Sequence, residues 1–307
     1  MNISIDHGKE HVVIKRMLPY WKSDGHQITI KGDIHLSFIK FIQQSNVPKV
    51  LRLDGIYYDN DTDYNKRNLL ISKSHYIANG VIYQSNFSKK MCEKYLSPRN
   101  FNAKTSVIYN GVDNMWCGKH IDTNNFNIIV SSKWRRHKRL KEIIDLFIIF
   151  HKLHKDARLH ILGDTIQNKK YDHPSIIYYG HLNENEMKPV WRIGDLSIHL
   201  SKKDSCPNTV VEAIGAGVPV ITTNACGGAT EMVNITKGCI SCSGEEQNIQ
   251  PCYPYRDEYN VISDTTSQLI LNAITDVYKD RPRVVIPKQL TVKYMATQYT
   301  NFMKDLL

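Results

Sequence analysis

An α/β protein of two doubly wound, Rossmann-like domains is the fold class this sequence predicts, and three observations predict it. Short β-rich runs alternate with amphipathic helical stretches along almost the whole chain, the pattern of parallel sheets covered by helices. The alternation falls into two series, with a polar stretch from Lys119 to Asn125 reading as the linker between them. The length, 307 residues, fits two domains at about 100–200 residues each.

The first series opens with a strand at Asn2 to Asp6, breaks at Gly8, continues as a helix to about Trp21 and returns as a strand from Gly25 to Ile30. Lys49 to Leu53 and Gly80 to Gln84 read as further buried strands. Between them, Tyr58 to Arg67 is polar and turn-rich and is expected as a loop at a strand's carboxyl end, where α/β sheets place their ligands. The second series has the clearest strands: Asn127 to Ser131, Arg158 to Leu162, Ile176 to Tyr179, Leu196 to Leu200 and Val218 to Thr222. Helical patterns such as Leu140 to His154 separate them, so five strands of a second doubly wound sheet are expected. From Leu290 to Leu307, apolar residues at Val292, Met295, Tyr299, Phe302 and Leu306 recur at helical spacing, which predicts a terminal amphipathic helix.

Composition excludes several classes. Hydrophobic residues at 41% and charged residues at 23% describe a folded protein and not a disordered or fibrous one. Lys+Arg 40 against Asp+Glu 30 leaves a net charge of +10, which favours nucleotides, phosphorylated substrates, nucleic acid or an acidic membrane surface. Apolar runs such as Leu146 to Phe150 fall far short of the ~20 residues of a membrane span, so no transmembrane segment is expected. Met1 to Gly8 carries Asp6 and no long apolar stretch, unlike a secretory leader. The 7 cysteines read as reduced thiols, and the expected location is cytoplasmic or peripheral to a membrane.

The segment Ser201 to Val233 carries the chemistry. It leaves a buried strand, turns through Asp204-Ser205-Cys206-Pro207-Asn208, enters a helix near Thr209, stops at Gly215 and Gly217, and starts the next strand at Pro219. A helix N-terminus behind a strand offers backbone N–H groups and a positive dipole end to a diphosphate. Asp204 and Glu212, flanking that helix start, can accept hydrogen bonds from sugar hydroxyls. Cys239 and Cys242, with Cys252 nearby, resemble half a zinc site, but a zinc site needs a second pair at fixed spacing. They are read as structural or free thiols, and no metal site is expected.

This segment resembles the donor motif of retaining glycosyltransferases of the GT-B fold, family 4 or group 1, whose pattern is two acids seven residues apart followed by EA-x-x-x-G-x-PVI. Here it reads Asp204-x7-Glu212 and Glu212-Ala213-Ile214-Gly215-Ala216-Gly217-Val218-Pro219-Val220-Ile221. Further matches follow in order: Asn110-Gly111-Val112-Asp113, the basic pair Lys133 and Lys138, Leu162-Gly163-Asp164, Tyr179-Gly180-His181, and Gly227-Gly228 with Glu231. The resemblance implies two facing Rossmann-like domains with a cleft between them: a reduced acceptor-side domain over 1–108, joined by a crossover helix at 290–307, and a nucleotide-sugar domain over 109–289.

By the same resemblance, Lys133 and Lys138 contact the nucleotide diphosphate, Asp204 lies by the donor sugar, and Glu212 binds the ribose diol. Pro207, Asn208 and Thr209 cradle phosphate and sugar at the helix start, Pro207 without an N–H. Gly163, His181 and Gly8 border the donor. Asp54 and His7 are the acceptor-side candidates. Two departures stand out: Asp204 replaces the family's glutamate, and Arg52-Leu53-Asp54-Gly55 stands where the family often has histidine. The implied activity is hexose transfer from a nucleotide-diphosphate sugar to an acceptor hydroxyl with retention and no obligatory metal or other cofactor, in glycan or glycolipid synthesis. A modified base in DNA as acceptor, and a non-catalytic sugar-nucleotide-binding module, are the alternatives.

Overall fold

The computed structural model of the chain describes residues 1–6, 11–58, 63–96, 100, 102–165, 171–247 and 261–307. They form two compact units, each around its own parallel six-stranded sheet. The first unit takes in Met1–Val112 and the C-terminal stretch Lys288–Leu307, and the second is built from the described residues between Asp113 and Pro287.

In chain order the first unit runs β1 (Asn2–Ile5), α1 (Val12–Ser23), β2 (Gln27–Ile28), β3 (Ile34–Phe38), β4 (Lys49–Leu53), α2 (Tyr64–Ile77), β5 (Gly80–Tyr83), α3 (Asn86–Tyr95) and β6 (Lys104–Val107). The sheet order is β2-β1-β3-β4-β5-β6, so strand addition reverses between β1 and β3. Every residue of β3 and β5 is buried, as parallel strands covered on both faces require. Asp63 and Ser85 start α2 and α3 by accepting the N–H groups of Lys66 and Ser88, which satisfies donors the helix cannot pair internally.

The second unit runs β7 (Phe126–Ser131), α4 (Leu140–Leu153), β8 (Ala157–Leu162), β9 (Ile176–Gly180), α5 (Glu184–Arg192), β10 (Leu196–Ile198), α6 (Asn208–Gly215), β11 (Val220–Thr223), α7 (Gly228–Asn234), β12 (Ile240–Cys242) and α8 (Asp264–Asp280). Its order, β12-β11-β10-β7-β8-β9, is the two-halves Rossmann arrangement with its switch point between β7 and β10. Helix α4 buries Leu140, Ile143, Ile144, Phe147 and Phe150 at intervals of three and four residues. That stripe packs on Ile128, Val130 and Leu159 of the sheet and on Ile270 and Ile274 of α8.

The chain then returns to the first unit as α9 (Val292–Lys304), capped by Thr291. Its buried face, Met295, Ala296, Tyr299 and Met303, meets Val13, Ile14, Met17 and Trp21 of α1. Trp21 Nε1–H donates to Ala296 O at 3.3 Å. Each large side chain enclosed there stabilises the unit by about 1.5–3 kcal/mol. Gly111 makes the approach possible: a Cβ on it would lie 2.6 Å from the Thr291 backbone, while Val112 N–H donates to Leu290 O at 3.0 Å.

The structure corrects several sequence expectations. The second strand is Gln27–Ile28 and not Gly25 to Ile30. Three strands, β3, β6 and β12, were not expected; β6 and β12 are edge strands of four and three residues, too short to show a period. Lys119 to Asn125 is not a linker between the units, because it lies inside the second one and Ile121 N–H donates to Arg192 O at 2.8 Å.

Candidate functional site

Doubly wound sheets bind ligands at the carboxyl ends of the strands flanking the switch point, which in the second unit are β7 and β10. The loop after β7 is pinned by Trp134, whose Nε1–H donates to Leu162 O at 2.8 Å. It then makes one 3-10 turn over Arg136–Lys138 before α4. Lys138 Nζ donates to Asp204 Oδ2, and His199 Nε2 lies 3.3 Å from the same oxygen. The backbone carbonyl of Asp204 accepts the Gly228 N–H at 2.7 Å, tying the loop to the start of α7.

Burial alone would raise the Asp204 carboxyl, but the Lys138 charge and the His199 contact outweigh it and hold the group well below the usual carboxylate range. His199 is enclosed, and burial lowers its pKa more strongly than Asp204 raises it. The site therefore brings the Lys138 side chain and the His199 ring to one oxygen of the Asp204 carboxylate. Lys133, two residues past β7, is exposed.

Pro207, Asn208 and Thr209 are half-buried at the start of α6, where Pro207 provides no side-chain cap. Glu212, one turn further along, is 4% exposed, and Trp116 Nε1–H donates to its backbone carbonyl at 2.6 Å. It is thus the most enclosed of the acids and lysines expected at the donor. Gly163 follows β8 with φ +100°, and a Cβ there would lie 1.9 Å from Ser132 O. Only glycine lets the loop bearing Lys133 pass so close. His181 is exposed just beyond β9, an edge strand two places from β7. Gly8 and His7, the other expected donor and acceptor residues, lie outside the described residues.

In the first unit, Asp54 follows β4 and belongs to a polar network at the carboxyl ends of its strands. Arg52 Nη1 and Gln84 Nε2 both donate to Asp54 Oδ1. Arg52 Nη2 donates to Asn110 Oδ1 at 2.7 Å, and Asn110 Nδ2 donates to Gln84 Oε1 at 3.3 Å. Arg52 is buried, while the Asp54 side chain is 40% exposed, and among the described residues its Oδ2 has no protein hydrogen bond.

Cys239 and Cys242 lie just before and at the end of β12. Cys239 Sγ accepts the Val220 N–H at 3.3 Å, and burial pushes the thiols of Cys239 and Cys242 up to about 12 and about 11. Cys252 lies outside the described residues. Among the described residues no three His, Cys, Asp or Glu side chains gather as ligands, and no helix is long and apolar enough to cross a membrane.

Sequence reasoning missed His199, Arg52 and Gln84. The signal was present: each is a polar residue at or near the carboxyl end of an otherwise apolar strand run, a position that a buried sheet fills with polar groups only where they find partners.

Residues 118–248 match the family model described as "Glycosyl transferases group 1". No curated protein matches the chain by sequence. Among solved structures, a sucrose-phosphate synthase from Thermosynechococcus elongatus aligns over 94% of this chain and 76% of its own, with a TM-score of 0.66 at 12% identity. The pneumococcal O-GlcNAc transferase GtfA in complex with UDP and GlcNAc aligns over 95% of this chain, with a TM-score of 0.58 at 12% identity. A trehalose-6-phosphate synthase studied for glycosyl transfer with retention gives 0.54 at 10% identity, over 95% of this chain and 78% of its own. This chain spans 60% of the GtfA chain and the same share of a chain of the GtfA/B complex. At these identities the likeness is one of fold, and the fold is the GT-B arrangement of two α/β units.

Proposed function

We propose that this chain, whose second unit carries a glycosyl transferases group 1 domain, transfers a hexose or similar sugar from a nucleotide-diphosphate sugar to an acceptor hydroxyl with retention. The observation that carries the reading is the Lys138–Asp204–His199 cluster at the β7/β10 switch point. A diphosphate leaving group develops negative charge, and cations already in place stabilise it without reorganising. Lys138 and exposed Lys133 supply that charge beside the uncapped start of α6. Asp204, kept ionised, accepts hydrogen bonds from hydroxyls of the donor sugar next to the phosphate. That Lys138 and Asp204 touch fits these roles, since phosphate and sugar share one bond. Glu212 is assigned to the ribose, with Gly163, Gly180 and His181 bordering the nucleotide.

The reaction breaks the bond between the anomeric carbon and the diphosphate oxygen and forms one to the acceptor oxygen on the same face. The acceptor proton passes to the departing diphosphate. No protein nucleophile is needed, and Asp204, ion-paired with Lys138, is assigned to positioning. Asp54 of the first unit is assigned to the acceptor: one oxygen is held by Arg52 and Gln84 and the other is open to receive a hydroxyl hydrogen. Glycan or glycolipid synthesis is the favoured setting.

Thermal shifts with UDP-, GDP-, ADP- and dTDP-sugars test the donor reading, because a ligand that binds the native state alone raises its stability. At least one family of donors is expected to stabilise the protein and release its nucleotide on incubation. No shift and no release with any of them would sink the reading.

A further inference from the structure

Beyond the donor residues, a buried cluster in the second unit joins Arg139, Glu245 and Thr223. Arg139 is the residue through which the chain enters α4, and its backbone is left-handed, with φ 59° and ψ 41°. That conformation crowds the Cβ of an L-residue and is the natural place of glycine. Here the side chain compensates. The fully buried guanidinium grips Glu245 with two prongs, Nη1 to Oε2 at 2.7 Å and Nη2 to Oε1 at 2.5 Å. Nη1 also reaches Leu200 O at 3.4 Å, and Glu245 accepts from Thr223 Oγ1 at 2.7 Å.

These contacts span three elements. Leu200 lies just past β10 on the way to Asp204, Thr223 ends β11, and Arg139 precedes α4. The residue before Arg139 is Lys138, which donates to Asp204. Nearby, Lys202 N–H donates to His137 O at 3.1 Å, so the loop after β7 is joined to the stretch leading to Asp204 on both sides of Lys138. Burial would raise the Glu245 carboxyl, yet the Arg139 hydrogen bonds and charge hold it below its ordinary value, so both partners are charged.

We propose that Arg139 and Glu245 are positioning residues: their ion pair holds an arginine in a glycine conformation and thereby sets Lys138 against Asp204. Its consequence for donor binding rests on the function proposed above. A buried pair that loses one member leaves an uncompensated charge, so the two single variants are damaging. Arg139→Gly with Glu245→Gln removes both charges and gives the left-handed position the residue that adopts it freely.

Three readouts on the full chain test this: thermal unfolding, carbon NMR titration of the Asp204 carboxyl, and calorimetric binding of UDP, GDP, ADP and dTDP. Glu245→Gln is expected to unfold earlier, to titrate Asp204 nearer the ordinary range, and to weaken the best nucleotide by about tenfold or more, with the double variant recovering most of each loss. An earlier-melting Glu245→Gln whose Asp204 titration is unchanged would make the pair a stability element only and overturn the proposal. So would a double variant no better than the single. If Glu245→Gln does not fold, the double variant decides alone: wild-type Asp204 titration in it supports the proposal, and failure to fold overturns it. Should wild type bind none of the nucleotides, the donor reading fails, while the Asp204 titration still decides the clamp.

Discussion

The carboxyl ends of the two sheets each present an aspartate paired with a cation through one carboxylate oxygen, and the two differ in burial and in the third group that joins them. Asp204 in the second unit is 15% exposed and faces Lys138 and His199. Asp54 in the first unit is 40% exposed and is held through one oxygen, with the other open. One setting encloses the ion pair and adds an imidazole beside a lysine near the start of α6, which suits an anionic leaving group. The other fixes a carboxylate in place and leaves it a free acceptor, which suits a neutral hydroxyl. Topology explains why both stand where they do, and burial, with glutamine in one place and histidine in the other, is where they differ.

The widest test of that contrast is Lys138→Ala. It removes the cation that touches Asp204, so nucleotide release from the best donor is expected to fall about 10²- to 10³-fold, the loss typical of removing one preplaced stabilising donor. Steady-state nucleotide release measures it, and a rate within a factor of a few of wild type would remove Lys138 from the chemistry. Asp54→Asn has a smaller and more selective effect. Transfer to the acceptor is expected to fall about 10- to 100-fold, a typical loss for a misplaced reactant, while hydrolysis of the donor by water continues. The ratio of transfer to hydrolysis is the readout. Equal losses in both would place Asp54 outside the acceptor site.

How much of this was legible in the sequence differs between the units for a physical reason. The second unit's inner strands lie in largely apolar runs between helices of clear period, and its donor segment keeps acids, glycines and prolines at fixed spacing, so fold and candidate residues could be read together. In the first unit, β2 has two residues and β6 is a polar edge, and edges carry little periodicity. Asp54 could be named from its position after a buried strand, but the network holding it could not. Arg52 and Asn110 are 58 positions apart and Gln84 and Asn110 are 26, and they meet only because β4, β5 and β6 are neighbours. Likewise Arg139 and Glu245 are 106 residues apart, and only the backbone conformation at Arg139 reveals what their pairing does.

The smallest expected effect concerns stability against acid, and it separates the units again. Among the described residues, His137, His151, His160 and His199 of the second unit have pKa values lowered first by burial, against His26 in the first. In the first unit His35 instead lies 3.1 Å from Asp6. Burial would raise the Asp6 carboxyl, but its hydrogen bonds with Ile42 and His35 leave it lowered. His160 shows the consequence most cleanly: Nδ1 contacts Tyr179 Oη at 2.9 Å and Nε2 contacts Asn127 Oδ1 at 3.0 Å, and burial takes it down to about 4. A histidine whose folded pKa is depressed contributes stability that is complete above its unfolded value of 6.5 and is lost as pH falls toward about 4. Across that interval the loss is on the order of 3 kcal/mol for a shift of this size. Asp6 behaves differently, since its contribution persists until pH falls below the ordinary carboxylate value of 3.8. Amide hydrogen exchange between pH 7 and pH 4.5 is therefore expected to show the second unit loosening first. His160→Gln should cost about 1 kcal/mol at pH 7 through weaker hydrogen bonds, yet match or exceed wild type near pH 4.5, because glutamine has no proton to take up. Parallel stability curves for the two proteins over that range would show that His160 is not among the groups that set the acid limb.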